Sequence, residues 1–145
     1  MFSFYGAKQR LAKYYPEPIY STIVEPFAGS AKYSLHGDRW QKQVFLYDID
    51  HRIIAVWKYL INSTSKDILS LPVFGPGTCL DEFQLLQAER WFLGYMISAA
   101  TRNPKKTATI KTNWNERKRE SIAQNIHKVK HWQAEVCSFE NIPTK

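Results

Sequence analysis

The chain has 145 residues and a formal net charge of +7, with 44% apolar and 14% aromatic residues. The length matches one domain, and the apolar content excludes an intrinsically disordered chain. No run approaches 18 uninterrupted apolar residues, and residues 1–20 lack the apolar block of a signal peptide. Cys79 and Cys137 are the only cysteines and form no pair at metal-ligand spacing. We therefore expect a cytoplasmic protein with no structural metal.

The first half of the chain alternates strand and helix patterns. Residues 21–27 and 44–48 are short stretches rich in β-branched or aromatic residues, which predict two strands. After the second strand, apolar residues recur every three or four positions from Ile53 to Ile61, as in an amphipathic helix. This alternation predicts an α/β fold with a parallel sheet, right-handed crossovers and flanking helices.

The second half begins with a break and ends in a third strand. Two prolines and two glycines in residues 71–78 end regular structure. Apolar residues between Leu85 and Ala99 then predict a long core helix, and those from Ile122 to Trp132 predict another. Residues 134–139 predict the third strand. Three strands leave a sheet edge that self-association or a partner fragment could cover.

The positive charge is concentrated in one part of the chain. Residues 102–130 contain nine Lys or Arg against two Glu, whereas basic and acidic residues balance elsewhere. This pattern is typical of a nucleic-acid-binding surface, although charge alone equally fits a solvated face. Pro104 and the Thr-rich residues after it predict that 102–119 is a basic excursion from the fold.

The stretch "VEPFAGSA", Val24 to Ala31, follows the first strand. In a parallel sheet, ligands bind at this carboxyl end of the strands. The stretch matches neither a G-x-G-x-x-G turn nor a phosphate-binding loop. A carboxylate at Glu25 would repel a pyrophosphate and attract an ammonium or sulfonium group. Asp48 ends the next strand, where an acid commonly binds ribose hydroxyls. S-adenosylmethionine has an ammonium group and a sulfonium group, and it also has ribose hydroxyls.

Two alternatives concern these acids. Glu25 could instead be a carboxylate that stabilises the start of a helix. Asp50 is expected to cap the helix that begins near His51.

Three motifs occur in order: "FYGAK" at Phe4 to Lys8, "VEPFAGSA", and "LYDID" at Leu46 to Asp50. Through them the chain resembles the Dam-type DNA adenine-N6 methyltransferases, enzymes of phage and restriction-modification systems. The resemblance implies a Rossmann-like, S-adenosylmethionine-dependent methyltransferase fold over residues 1–145 as a single domain. Ala7 and Ala31 stand where the family often has glycine. The cofactor-binding residues that it implies are Tyr5, Gly6, Ala7, Lys8, Glu25, Pro26, Phe27, Ala28, Gly29 and Asp48.

The motif that binds the acceptor adenine in this family is Asp-Pro-Pro-Tyr. None of the seven prolines is adjacent to another, so this motif is absent and the chain has no catalytic residue by resemblance. We expect a domain truncated before its catalytic strand, which binds S-adenosylmethionine and is inactive alone. The alternatives are a non-catalytic S-adenosylmethionine- or DNA-binding module, half of a split enzyme, or a nucleotide-binding protein with unrelated chemistry.

The resemblance also implies double-stranded DNA as a partner. Trp114 lies between basic residues and is the candidate for stacking on a base. His127 and His131 are four residues apart and are expected to be a surface pair. The predicted DNA-contacting residues are Arg102, Lys105, Lys106, Lys111, Trp114, Arg117, Lys118 and Arg119.

Overall fold

The computed structural model of the chain describes residues 19–97, 103–110, 112 and 114–141. Three strands form one parallel sheet in the order β1 (Thr22–Glu25), β2 (Gln43–Asp48) and β3 (Gln133–Val136). β1 pairs with β2, and β2 pairs with β3, both in parallel. The three predicted strands and their parallel arrangement are thus confirmed. The third is shorter than predicted, because pairing with β2 ends at Val136.

One face of the sheet carries the core. In the strand register Ile23 lies opposite Val44, and Leu46 lies opposite Ala134. All four side chains are buried, and residues opposite one another in a sheet share a face. On the other face Val24 and Phe45 are half-buried, and Glu135 is exposed. Buried and less buried residues therefore alternate along β1, and along β2 as far as Leu46, because only one face of the sheet is well covered.

Five α-helices lie along the described chain. Shorter 3₁₀ turns occur at Arg39–Gln41, Leu80–Glu82, Ile126–Val129 and Phe139–Asn141. The α-helices are α1 (Lys32–Leu35), α2 (His51–Asn62), α3 (Ser65–Leu69), α4 (Gln87–Met96) and α5 (Glu116–Asn125).

Helix α2 forms as predicted. The side chain of Asp50 accepts a hydrogen bond from the backbone N–H of Arg52 (2.9 Å), which confirms Asp50 as the cap. Partial burial acts against ionisation of Asp50, but the hydrogen bonds and charge of Arg52 lower its pKa overall. Ile53, Trp57 and Leu60 are fully buried on one side of the helix, so the apolar spacing identified its core face.

Helix α4 is shorter than its apolar pattern predicts. It begins at Gln87. The carboxylate of Glu89 accepts a hydrogen bond from the backbone N–H of Leu86 (2.8 Å), and this bond caps the amino end of the helix. Leu85 and Leu86 therefore precede the helix. It ends at Met96, and Ala99 lies outside the described residues.

Of the segment predicted as a basic excursion (102–119), the described residues 103–110 belong to no helix or strand, as a loop would, but part of them lies beside residues 77–80. Residues 105–108 run antiparallel beside 77–80, with a bridge between Cys79 and Thr107. The backbone N–H of Leu80 donates to the carbonyl of Lys106 (2.7 Å), and that of Ala108 donates to the carbonyl of Thr78 (2.9 Å). From residue 116 the chain is already α5. Backbone pairing between distant segments, which composition does not reveal, holds this stretch against the fold.

Among the residues described here, no helix is both long enough and apolar enough to cross a membrane.

Candidate functional site

The turn after β1 has an unusual backbone. The φ angle is positive at Phe27 (57°), Gly29 (50°) and Ala31 (54°). Residues with a Cβ atom seldom adopt this left-handed region, and they do so where surrounding contacts hold them. One such contact is the hydrogen bond from the backbone N–H of Ala28 to the carbonyl of Tyr47 in β2 (2.9 Å). The turn is therefore fixed against the neighbouring strand.

Asp48 ties the same turn to the end of β2. Its Oδ2 accepts a hydrogen bond from the backbone N–H of Gly29 (3.1 Å), and its Oδ1 accepts one from the backbone N–H of Asp50 (2.9 Å). The indole N–H of Trp57 donates to the carbonyl of Gly29 (2.7 Å). Gly29 is thus held through both backbone groups. An ionised carboxylate has about four acceptor positions, so these two bonds leave Asp48 able to accept more.

Glu25 is buried at the end of β1, with 8% of its surface exposed. Its Oε2 accepts hydrogen bonds from both the backbone N–H (3.3 Å) and the hydroxyl of Ser34. Ser34 lies in the first turn of α1. The interpretation of Glu25 as a carboxylate at a helix start is therefore supported.

Glu25 and Asp48 share one edge and one face of the sheet. Glu25 pairs with Leu46, which places Asp48 two residues further along the adjacent strand. Two residues is one full period of a strand, so both carboxylates lie on the same face. The expectation that two acids end neighbouring strands is confirmed by this register.

Exposed apolar side chains occur at the same ends of the strands as the two acids. Phe27 follows β1, Ile49 follows β2 and Val136 ends β3; they are 63%, 72% and 50% exposed. Sequence reasoning identified Phe27 but not Ile49 or Val136. Ile49 could have been identified from the sequence, since it is an apolar residue between Asp48 and Asp50, directly after a predicted strand. Val136 could not, because its exposure depends on where β3 stops pairing.

The small residues of the turn are covered. Ala28 is 6% exposed, Ser30 is 1% exposed and Ala31 is 1% exposed, while Pro26 is half-buried. The hydroxyl of Ser30 is buried and has no hydrogen-bond partner in the described structure. Such a group costs about 1–3 kcal/mol, and a polar ligand beside Gly29 would be one way to satisfy it.

Several predicted residues lie outside the part of the chain that the structure describes. They are Tyr5, Gly6, Ala7 and Lys8 of the first motif, and Arg102 and Lys111 of the basic segment.

The remaining basic residues fall on two different parts of the fold. Lys105 and Lys106 are exposed on the segment beside α4, where Lys106 lies 3.5 Å from a carboxylate oxygen of Asp81. Arg117 is exposed at the start of α5, whereas Lys118 is half-buried. The structure thus places these basic residues on two separate segments, the one that contains residues 105 and 106 and the start of α5.

Arg119 has a structural contact. Its Nη1 donates to the carbonyl of Leu71 (2.8 Å), next to the segment that follows α3. Leu71 lies just beyond the end of α3, so the guanidinium bonds a carbonyl outside regular structure and links α5 to that segment. Arg119 is therefore engaged within the fold.

The prediction that Trp114 stacks on a base is wrong. Trp114 is 1% exposed, its ring lies edge-on against Phe92 (5.7 Å between centroids), and its indole N–H donates to the carbonyl of Pro72 (2.7 Å). A buried ring with a satisfied N–H is a core residue. Its basic neighbours in sequence concealed this, because its burial depends on contacts with Phe92 of α4 and with Pro72, both distant in sequence.

His127 and His131 are both exposed, as expected of a surface pair. The Nδ1 of His127 is 3.0 Å from the carbonyl oxygen of Gln124, and the Nε2 of His131 is 2.9 Å from that of Lys42. Within the described ranges, no group of three or more His, Cys, Asp or Glu residues is arranged to hold a metal ion.

Comparison with known proteins leaves the site to be judged on its own geometry. No model of a known protein family matches the sequence, and no curated protein matches it either.

Proposed function

We propose that this chain is the S-adenosylmethionine-binding part of a DNA adenine-N6 methyltransferase with a Rossmann-like methyltransferase fold. The observation that carries the proposal is the pair of carboxylates at the ends of β1 and β2, which share a face and enclose the turn around Gly29. The resemblance of the three sequence motifs to the Dam-type family supports the same assignment.

The residues present fit such a cofactor. Asp48 would accept hydrogen bonds from the ribose hydroxyls while retaining its bonds to Gly29 and Asp50. Glu25 would attract the positive charge of the methionine part. Ile49 and Val136 would provide apolar surface for the adenine ring, since both are exposed beside Asp48. When bound, the cofactor would supply an electrophilic methyl group.

We infer that the 145 residues bind the cofactor but do not transfer the methyl group unaided. They contain no Asp-Pro-Pro-Tyr, and an adenine amine is a poor nucleophile unless an acceptor polarises it. A non-catalytic binding module or half of a split enzyme fits the same observation. In that case a partner fragment or a second copy would complete the three-stranded sheet.

Isothermal titration calorimetry with S-adenosylhomocysteine tests the binding proposal. The chain should bind S-adenosylhomocysteine and not NAD, and Asp48→Asn should weaken binding at least tenfold. Asp38→Asn is the matched control, because Asp38 is exposed and its side chain makes no capping hydrogen bond. Absence of binding by the folded protein would refute the proposal, and preferential binding of NAD would favour unrelated nucleotide chemistry.

A methyl-incorporation assay on adenine-containing duplex DNA tests the second part. We expect no turnover by this chain alone. Turnover would show that it supplies its own acceptor site and would overturn the inference that it is inactive by itself.

A further inference from the structure

Arg52 lies in the first turn of α2, the helix that follows β2. Its guanidinium bonds the carboxylate of Asp50 through two nitrogens, with Nε 3.2 Å from Oδ1 and Nη2 3.2 Å from Oδ2. A planar fork of this kind fixes the orientation of both partners. The side chains of Arg52 and Asp50 are 29% and 21% exposed. Solvent therefore weakens the charge attraction, and the fixed geometry of the pair matters more.

Arg52 also bonds a residue that follows α4. Its Nη2 donates to the Oδ1 of Asn103 (2.8 Å), which is 51 residues away in sequence. The backbone next to Asn103 is fixed in turn, because the N–H of Lys105 donates to the carbonyl of Gly94 in α4 (3.0 Å). The guanidinium is therefore held by two segments that are supported separately, and both of them set its orientation.

These contacts reach Asp48 through the backbone of Asp50. The side chain of Asp50 accepts a hydrogen bond from the N–H of Arg52 (2.9 Å), and its own backbone N–H donates to the Oδ1 of Asp48 (2.9 Å). Asp50 thus receives the arginine on its side chain and presents its N–H to the carboxylate of Asp48. A shift of Asp50 would release one oxygen of Asp48, while the bond from Gly29 would still hold the other.

The same three charges act on one buried residue. Tyr95 of α4 is fully buried. Burial raises its pKa to about 12, with further increases from the charges of Asp50 and Asp48 and an opposing effect from Arg52. The two carboxylates and the guanidinium are therefore neighbours. Like charges at close range repel one another, and a cation beside them offsets this repulsion.

We propose that Arg52 is a positioning residue of the candidate cofactor site. By holding Asp50 in place, it fixes the N–H that orients the Asp48 carboxylate toward the ribose hydroxyls of the ligand. This inference rests on the proposed function and deepens it, since no sequence motif pointed to Arg52 or Asn103. A lysine would not replace Arg52, because an ammonium group keeps the charge but lacks the planar fork.

Amide hydrogen exchange measures the positioning without any ligand. In Arg52→Gln, the amide of Asp50 should exchange roughly fivefold faster than in wild type, because its hydrogen bond opens more often. Arg52→Lys should show a similar acceleration. Arg90→Gln is the matched control, since Arg90 is also 29% exposed and is paired with a carboxylate, that of Asp81. Wild-type exchange in Arg52→Lys, or equal exchange in Arg52→Gln and Arg90→Gln, would overturn the inference.

Calorimetry with S-adenosylhomocysteine tests whether the effect reaches the ligand through Asp48. Arg52→Gln should weaken binding about tenfold when Asp48 is present and less than about twofold in the Asp48→Asn background, because coupled residues are not additive. A general loss of structure would instead weaken binding by the same factor in both backgrounds. That result would overturn the inference.

The inference and the proposed function fail in different ways. Thermal unfolding first establishes that each variant is folded at the temperature of the measurements. If folded wild type does not bind S-adenosylhomocysteine, the proposed function is wrong, and amide exchange still decides whether Arg52 positions Asp50. If wild type binds and Arg52→Gln binds as tightly as Arg90→Gln, the positioning role is wrong while the proposed function stands.

Discussion

The Oδ2 of Asp48 accepts a hydrogen bond from the backbone N–H of Gly29 at 3.1 Å, across 19 residues of sequence. This bond joins the end of β2 to the turn after β1. It also holds the carboxylate where a ligand at the strand ends would meet it. In the proposed function this side chain would serve both the fold and the ligand, so its substitution should affect both.

Asp48→Asn should lower both stability and affinity. The amide keeps one acceptor oxygen but places an N–H₂ group against a backbone N–H, either of Gly29 or of Asp50. Loss of a charge-assisted bond costs about 1–3 kcal/mol. Urea denaturation should show that loss relative to Asp38→Asn, and calorimetry at a temperature where both variants are folded should show weaker S-adenosylhomocysteine binding.

Glu25→Gln and Ser34→Ala separate the two interpretations of Glu25. Ser34→Ala removes one donor to the buried carboxylate but leaves its charge, so we expect a loss of about 1–3 kcal/mol in stability with little change in cofactor affinity. Glu25→Gln removes the charge and should reduce affinity at least tenfold. If both variants bind S-adenosylhomocysteine as wild type does, Glu25 serves only the start of α1.

Trp114→Phe should destabilise the protein without altering DNA binding. The smaller ring leaves space in the core, and the carbonyl of Pro72 loses its indole donor. We expect a cost of about 1–3 kcal/mol. Thermal unfolding measures the stability, and an altered salt slope of DNA binding in the folded variant would contradict the assignment of Trp114 to the core.

Gly94→Ala should destabilise the protein even though alanine is a better helix former than glycine. A Cβ at residue 94 would lie 2.5 Å from the Cβ of Pro104 and 2.9 Å from the carbonyl oxygen of Lys105. The same contact includes the hydrogen bond from the N–H of Lys105 to the carbonyl of Gly94 (3.0 Å). Overpacking of this kind costs about 1–3 kcal/mol.

Gly75→Ala is the control for this prediction. A Cβ there has no atom within 4 Å, and we expect a change within about 0.5 kcal/mol. Equal stability of the two variants in urea denaturation would mean that residues 103–105 do not pack against α4.

Tyr59→Phe should reduce the loss of stability in alkali. Burial raises the pKa of Tyr59 to about 12, whereas an unfolded tyrosine ionises near pH 10. Its contribution is therefore complete below about pH 10 and is lost as the pH rises to about 12, by roughly 1–3 kcal/mol. Burial also raises the pKa of Tyr95 to about 12, but Tyr95 is present in both proteins. Urea denaturation across this range should give a shallower decline for the variant; identical profiles would contradict the prediction.

The sequence by itself determined the local features of this protein. The three strands, the amphipathic α2 and its Asp50 cap were predictable, because they depend on residues within a few positions of one another. So were the acids at the ends of neighbouring strands, since parallel strands place their carboxyl ends on one edge.

Only the tertiary structure decided which side chains are buried and which segments meet. The burial of Trp114 depends on Pro72, 42 residues away. The backbone hydrogen bonds between residues 106–108 and 77–80 likewise join segments that are far apart in sequence. These are non-local contacts, and the free energy that selects them comes from packing of the whole core rather than from any local pattern.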